Sequence, residues 1–274
     1  MAASTNQEPS ILAVLDAWRD WTSTDTTERP RLGKLLGEGS ANRVYELQPM
    51  RHKVLRIAQK SHEVSVNRSL QEIVVWKFVA NEGLAPTIHH HSDRGDVVVT
   101  DRLSFDGVSA DEHANLLKRI HRLQPSASRL LLTDVAETYR AAAVRANSFN
   151  TAIDLRSETI RRDLEQLDSE SPVFCHNDLS TENIGWLGER LLAIDWEYAA
   201  MGSPHFDVAS ASEGHTEDER RHFAMSALEN AFDEGLWAAA SRAAPLISFL
   251  WASATNDQET AESLRAAIEG HYLT

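Results

Sequence analysis

The chain has a single cysteine, Cys175, among its 274 residues. An intramolecular disulfide is therefore excluded, and nothing suggests an oxidising compartment. The setting of Cys175 in an apolar run, VFC, predicts a small buried hydrophobe rather than a nucleophile. Long apolar runs are missing too: no stretch approaches about 18 consecutive apolar residues, so no membrane span is expected. The first ten residues, MAASTNQEPS, carry neither the basic nor the apolar segment of a secretory signal, and a cytoplasmic location is the expectation. Basic residues are outnumbered, with 27 Lys and Arg against 41 Asp and Glu, a formal charge of −14. That balance argues against a nucleic-acid partner, whose phosphates would be repelled, and suits the attraction of a small cation. The motif G-x-x-x-x-G-K-[ST] is absent, which removes the P-loop class.

What is present is ordinary for a globular chain, 42% hydrophobic and 25% charged. The length is enough for one large domain or two lobes. Ile11, Leu12, Leu15, Trp18 and Trp21 recur at helical spacing, with Ser10 as a candidate cap. TSTDTTERP, residues 22–30, reads as a linker. Strands are expected over 32–36, 43–47, 53–57, 86–91 and 96–103, with a helix over 63–81. The remainder is expected to be mostly helical, over 110–123, 133–149, 157–167, 217–232, 236–252 and 259–272. Gly235 and Pro245 are expected to interrupt the late helices. The triplet His89-His90-His91 invites a metal reading. Adjacent strand residues face opposite ways, however, so at most two could share an ion, and no further ligand completes a site.

The most informative stretch runs from Val173 to Glu197, VFCHNDLSTENIGWLGERLLAIDWE. Two short apolar runs, 184–187 and 190–194, flank Gly188-Glu189 and predict a hairpin. Counting outward from the turn places Asn183 opposite Ile194, so Asn183 and Asp195 meet at the open end. An amide oxygen beside a carboxylate suits magnesium, which prefers oxygen ligands and takes few of them from protein. His176, Asp178 and Asn183 follow the H-x-D-L-x-x-x-N spacing of a kinase catalytic loop, with Asp195 where the D-F-G aspartate stands. Asp178 would accept the proton of a substrate hydroxyl, while His176 fixes the loop.

CHNDLSTENIGW, then LLAIDWEYA, then HFDVA resemble the choline/ethanolamine kinase and thiamine kinase branch of the aminoglycoside phosphotransferase-like superfamily. The resemblance covers about 35–207 and is weaker over the residues after 207. It implies an α+β, bilobal, protein-kinase-like fold using ATP and Mg2+. That fold has a small antiparallel-sheet N-lobe with one main helix and a larger, mostly helical C-lobe. The expected division is 1–30 as N-terminal helix and linker, 31–103 as nucleotide-binding lobe, and 104–274 as catalytic and acceptor-binding lobe.

The resemblance also gives roles to residues outside the motif. Gly37, Gly39, Ser40 and Asn42 form a glycine-rich turn that would lie over nucleotide phosphates, although the third glycine of G-x-G-x-x-G is missing. Arg56 stands where this branch carries a phosphate-binding cation, with Glu72 as its partner from the following helix. Lys53, at odd spacing from Arg56, is expected on the opposite, solvated face. Asp101 to Leu103 would cross to the second lobe, where kinases grip adenine with backbone groups. Trp251 resembles a tryptophan that helps enclose a quaternary ammonium, whereas the branch's second tryptophan is Ala254 here. Glu197 and Glu213 are expected to add an acidic mouth. The implied function is ATP-dependent phosphorylation of a cationic alcohol such as choline, ethanolamine or thiamine. The alternatives are an aminoglycoside or amino-sugar kinase, or a kinase-like binding protein without catalysis. Glu197 in place of the D-F-G glycine, and the missing A-P-E, set protein kinases aside.

Overall fold

A computed structural model describes residues 8–22, 27–39, 42–59, 69–146 and 157–272. They fall into two compact units, Met1–Asp106 with Gly185–Glu197, and Gly107–Ile184 with Tyr198–Thr274. The division falls between Ile184 and Gly185 and between Glu197 and Tyr198, so the H-x-D-L-x-x-x-N stretch belongs to the second unit and Asp195 to the first.

The first unit contains helices α1 (Glu8–Asp16) and α2 (Trp18–Trp21), strands β1 (Arg31–Glu38), β2 (Asn42–Gln48) and β3 (Lys53–Ala58), helix α3 (Ser69–Asn81), and strands β4 (Ile88–His91) and β5 (Val97–Asp101). The strands form one antiparallel sheet in the order β1-β2-β3-β5-β4. Alternation in KVLRI and VVVTD sends Leu55, Ile57, Val97 and Val99 to one face, where they pack with Ile11, Val14, Leu15, Trp18 and Trp21. Each such side chain contributes about 1.5–3 kcal/mol when fully buried, so the helices are held by this apolar face rather than by propensity. The hairpin forms where expected, Ile184–Leu187 and Arg190–Ala193, around Gly188 at φ 62°.

Three expectations change in this unit. The periodic stretch 11–21 is two helices broken at Ala17, and the first begins at Glu8, so Ser10 lies inside it and is not a cap. The Ser10 hydroxyl instead donates to Asp96 Oδ2 at 3.3 Å and accepts from Arg94 at 2.8 Å. Lys53 is buried rather than solvated, with Nζ 2.7 Å from His89 Nε2 and 4.0 Å from Asp101. Cross-strand pairing of Lys53 with Asp101 places a carboxylate beside it, and burial pushes the ammonium pKa down. Residues 63–68 of the expected third helix lie outside the described residues.

The second unit is helical: α4 (Ala110–His121), α5 (Leu132–Arg145), α6 (Glu158–Asp168), α7 (Pro204–Ala211), α8 (Glu217–Leu228), α9 (Glu234–Thr255) and α10 (Gln258–Tyr272). One antiparallel pair, Val173–Cys175 with Ala200–Gly202, lies among them. A capping box starts α4, where Ser109 accepts from Glu112 N and the Glu112 side chain accepts from Ser109 N. A second one, Thr216 with Glu219, starts α8. Residues 147–149 of the expected 133–149 helix lie outside the described residues. The expected 217–232 helix ends at Leu228, because Glu229 has φ 50°.

Helix α9 runs through both Gly235 and Pro245 instead of being interrupted. Gly235 sits in the first turn, and the one backbone hydrogen bond that proline deletes is outweighed by burying Trp237, Leu246, Ile247, Phe249 and Leu250. This helix is the axis of the unit, packing against α5, α6, α7 and α10. Arg242 grips buried Asp163 of α6 through two hydrogen bonds of 2.7 and 2.8 Å, and Tyr272 of α10 donates to the same carboxylate at 3.2 Å. Among the described residues no helix is long and apolar enough to cross a membrane.

Candidate active site

In the first unit a cavity of about 480 Å³ is lined by Gly37, Asn42, Arg56, Thr100, Leu103 and Asp195, among others. Four residues singled out from sequence, Gly37, Asn42, Arg56 and Asp195, thus face one space. Arg56 donates to both oxygens of Glu72 at 2.6 and 2.7 Å, a buried bidentate pair, and its guanidinium lies 4.9 Å from the ring centre of Trp76. Burial alone would favour loss of the Arg56 proton. Glu72 outweighs it and, with Asp195 and Glu197, holds the guanidinium more firmly charged than usual. Gly39 N donates to Asn42 O at 2.9 Å, closing the turn between β1 and β2. Ser40 lies outside the described residues.

Asp195 is the electrostatic focus of that cavity. Its backbone is left-handed, φ 66°, a conformation Asp tolerates better than most residues. Burial first, and the neighbouring Glu72 charge second, push its carboxyl pKa up to about 6; Arg56, 3.9 Å away, and a hydrogen bond from Asn42 pull the other way. Its Oδ1 is buried and accepts no hydrogen bond among the described residues. A buried carboxylate oxygen without a donor is costly, and a hard divalent cation is the partner that corrects it. The residues present therefore fit a magnesium-bound nucleotide.

In the second unit the catalytic-loop residues are held from behind. Asp207, fully buried on α7, accepts from Asn177 N at 2.6 Å, from His176 N at 3.1 Å and from His121 Nε2 at 2.8 Å. Burial alone would raise the Asp207 pKa. His121 and the backbone donors outweigh it and hold the carboxyl below its usual range. His113 Nε2 donates to Leu179 O at 2.8 Å, and burial pushes its pKa down to about 4, so the ring is neutral. Asn177, at φ 64°, donates from its side chain to Tyr198 O at 2.9 Å. Asn183 Nδ2 donates to Asp178 O at 2.8 Å and to Asp178 Oδ2 at 3.0 Å, which turns the amide oxygen of Asn183 away from Asp178. His176 is completely buried.

Of the expected acceptor residues, Trp251 Nε1 donates to Tyr198 Oη at 2.9 Å, and one turn earlier Ser248 donates to Glu213 at 3.1 Å. Burial pushes the Glu213 carboxyl up. Glu197 belongs to the first unit, beside Asp195.

Sequence reasoning missed Asp207, His113, His121 and Tyr198 as supports. HFDVA and IDWEYA contain two of them, but nothing in spacing marks a residue some 30 positions away as the acceptor for a loop. His121, Cys175 and Asp207 bring ligand-type atoms within 4.8 Å of one another. Both Asp207 oxygens already accept N–H donors, which accounts for the cluster without an ion. Burial pushes the Cys175 thiol up, as fits a small buried hydrophobe.

An antiparallel five-stranded sheet with a buried cation–carboxylate pair, together with a helical unit carrying H-x-D-L-x-x-x-N, defines a kinase-like small-molecule phosphotransferase. A model of the phosphotransferase enzyme family matches residues 33–251, and the chain belongs to that family. A LicA homolog of Mycoplasma capricolum is 32% identical over 139 residues, 51% of this chain and 50% of the relative, so the match spans about half the length of that protein. Among solved structures, choline kinase LicA from Streptococcus pneumoniae is 18% identical with a TM-score of 0.69, covering 97% of this chain and 100% of the other. A putative fructosamine-3-kinase from Haemophilus somnus is 13% identical with a TM-score of 0.70, covering 96% and 97%.

Proposed function

We propose that the protein transfers the γ-phosphoryl group of ATP to the hydroxyl of a cationic alcohol such as choline, ethanolamine or thiamine. The observation that carries this reading is that Arg56, held by Glu72, and the under-satisfied Asp195 line one cavity together with Gly37 and Asn42. Arg56, held rigid by Glu72, would grip phosphate oxygens through the face that Glu72 leaves open. The glycine-rich turn that begins at Gly37 would approach the same phosphates. Asp195 would hold Mg2+, which when bound neutralises charge on the transferring group, and the motif spacing nominates Asn183 as a second ligand. Asp178 would accept the proton of the acceptor hydroxyl, with its Oδ2 held by the hydrogen bond from Asn183. LicA similarity and the Trp251–Tyr198 aromatic pair support a cationic acceptor, with Glu213 and Glu197 supplying negative charge.

The test is a magnesium-dependent ATP-turnover screen across choline, ethanolamine, thiamine, aminoglycosides and amino sugars, with Asp178→Asn as the control. The variant should retain ATP affinity and lose roughly 100-fold or more in turnover, the usual scale for a positioned general base. Turnover within a few-fold of wild type would remove Asp178 from the mechanism. A peptide as the sole acceptor would overturn the small-molecule reading.

A further inference from the structure

Between the end of β5 at Asp101 and the start of α4 at Ala110, the chain has no regular structure, yet its first part, Arg102 to Phe105, walls the cavity. Something must hold that wall. Arg102 N donates to His52 O at 2.9 Å. Ser104 exchanges two backbone hydrogen bonds with Trp186 of the hairpin, Ser104 N to Trp186 O at 3.0 Å and Trp186 N to Ser104 O at 2.8 Å. The Trp186 indole Nε1 then donates to Asp106 O at 3.0 Å.

Gly185, next in the hairpin, lets this approach happen. A Cβ on Gly185 would meet Leu103 Cβ at 2.9 Å and Ser104 O at 3.1 Å, closer than carbon and oxygen tolerate. In an extended segment, backbone groups of successive residues point to opposite sides. With both groups of Ser104 committed to the hairpin, those of Leu103 point the other way. Among the described residues neither the N–H nor the C=O of Leu103 has a hydrogen-bond partner. A donor and an acceptor on one residue beside an apolar cavity make a reading edge for a flat heterocycle.

Resting on the nucleotide reading above, we infer that Trp186 and Gly185 are positioning residues that clasp segment 102–106 and set the orientation of the Leu103 edge against the nucleobase. Neither residue touches phosphate or metal in this scheme. Their effect is confined to the nucleoside end of the ligand.

The clasp is tested by calorimetric titration of the full chain with adenosine, ADP and Mg-ATP. Trp186 is half-buried, so Phe keeps an aromatic ring at the position while deleting the N–H and the outer part of the indole. Trp186→Phe should unfold within a few degrees of wild type and weaken all three ligands by a similar factor, roughly three- to tenfold, as expected for one neutral hydrogen bond. Gly185→Ala, which forces Leu103 outward, should weaken them further in the same proportion. Equal losses across the three ligands place the defect at the nucleoside rather than the phosphates. Unchanged adenosine affinity in a folded Trp186→Phe protein, or a loss confined to ATP, overturns the clasp while leaving ATP as the co-substrate. A wild-type protein that binds neither adenosine nor ADP overturns the nucleotide reading itself, and the clasp with it.

Discussion

A carboxylate buried with one oxygen unpartnered, as Asp195 is, costs the free protein stability. Burial and Glu72 oppose its charge, and Arg56 at 3.9 Å, too far for a hydrogen bond, offsets that only in part. Asp195→Asn removes the charge and keeps the shape. The variant should be more stable than wild type in the absence of ligand, by about 1–2 kcal/mol at neutral pH. It should also lose the rise in unfolding temperature that wild type shows with Mg-ATP. Thermal unfolding of both proteins, with and without Mg-ATP, checks the pair of outcomes. A variant that is still stabilised by Mg-ATP to the wild-type extent would take Asp195 out of the metal site.

Helix α4 anchors the catalytic loop through two histidines two turns apart, His113 on Leu179 O and His121 on Asp207. Its N-terminus is settled by the Ser109–Glu112 capping box, so these side chains arrive at fixed positions. His113 gives that anchoring a pH dependence. In the fold its pKa is near 4, against about 6.5 in the unfolded chain, so between these values the unfolded chain binds a proton that the fold refuses. Stability is therefore greatest above about pH 6.5 and falls as pH drops toward 4, by at most a few kcal/mol from this residue. His113→Gln, which keeps a donor for Leu179 O, should flatten the profile; urea unfolding at pH 7.5 and pH 5 measures it. An unaltered slope in the variant would assign the acid sensitivity elsewhere.

At this scale much of the molecule is legible in the sequence. β5 declares itself by the β-branched run VVVT, the other sheet strands by short apolar stretches around turns, the late helices by spacing, and the hairpin because its residues lie close together in the chain. Arg56 and Glu72 are also legible, as strand cation and helix carboxylate. The supports are not, since Asp207 reaches His176 and Asn177 across some 30 residues through tertiary contact alone. Lys53 departs from its expected place because odd spacing tells which face a residue takes but not whether that face is covered. Here Asp101 and His89 meet it there.

Over the whole molecule the formal charge is −14, and under the proposed function it would bear on acceptor capture rather than on the fold. Two further features favour a cation: Trp251, hydrogen-bonded to Tyr198, offers an aromatic face, and Glu213 lies in the same unit. The attraction of a charged acceptor decays over a Debye length, about 10 Å at 0.1 M salt and about 30 Å at 0.01 M. For a cationic acceptor, kcat/KM should therefore fall several-fold between these ionic strengths, while kcat at saturation stays within about twofold. A neutral alcohol turned over by the same protein serves as the control and should show no such fall. Trp251→Ala should raise KM for the cationic acceptor several-fold and leave KM for ATP unchanged, as a lost cation–π contact of about 0.5–2 kcal/mol requires. Steady-state kinetics at the two salt concentrations, with choline, ethanolamine and thiamine each tried as acceptor, decides the matter. A neutral sugar as best acceptor, with all three cations inert, would overturn the cationic-alcohol assignment and leave phosphotransfer from ATP standing.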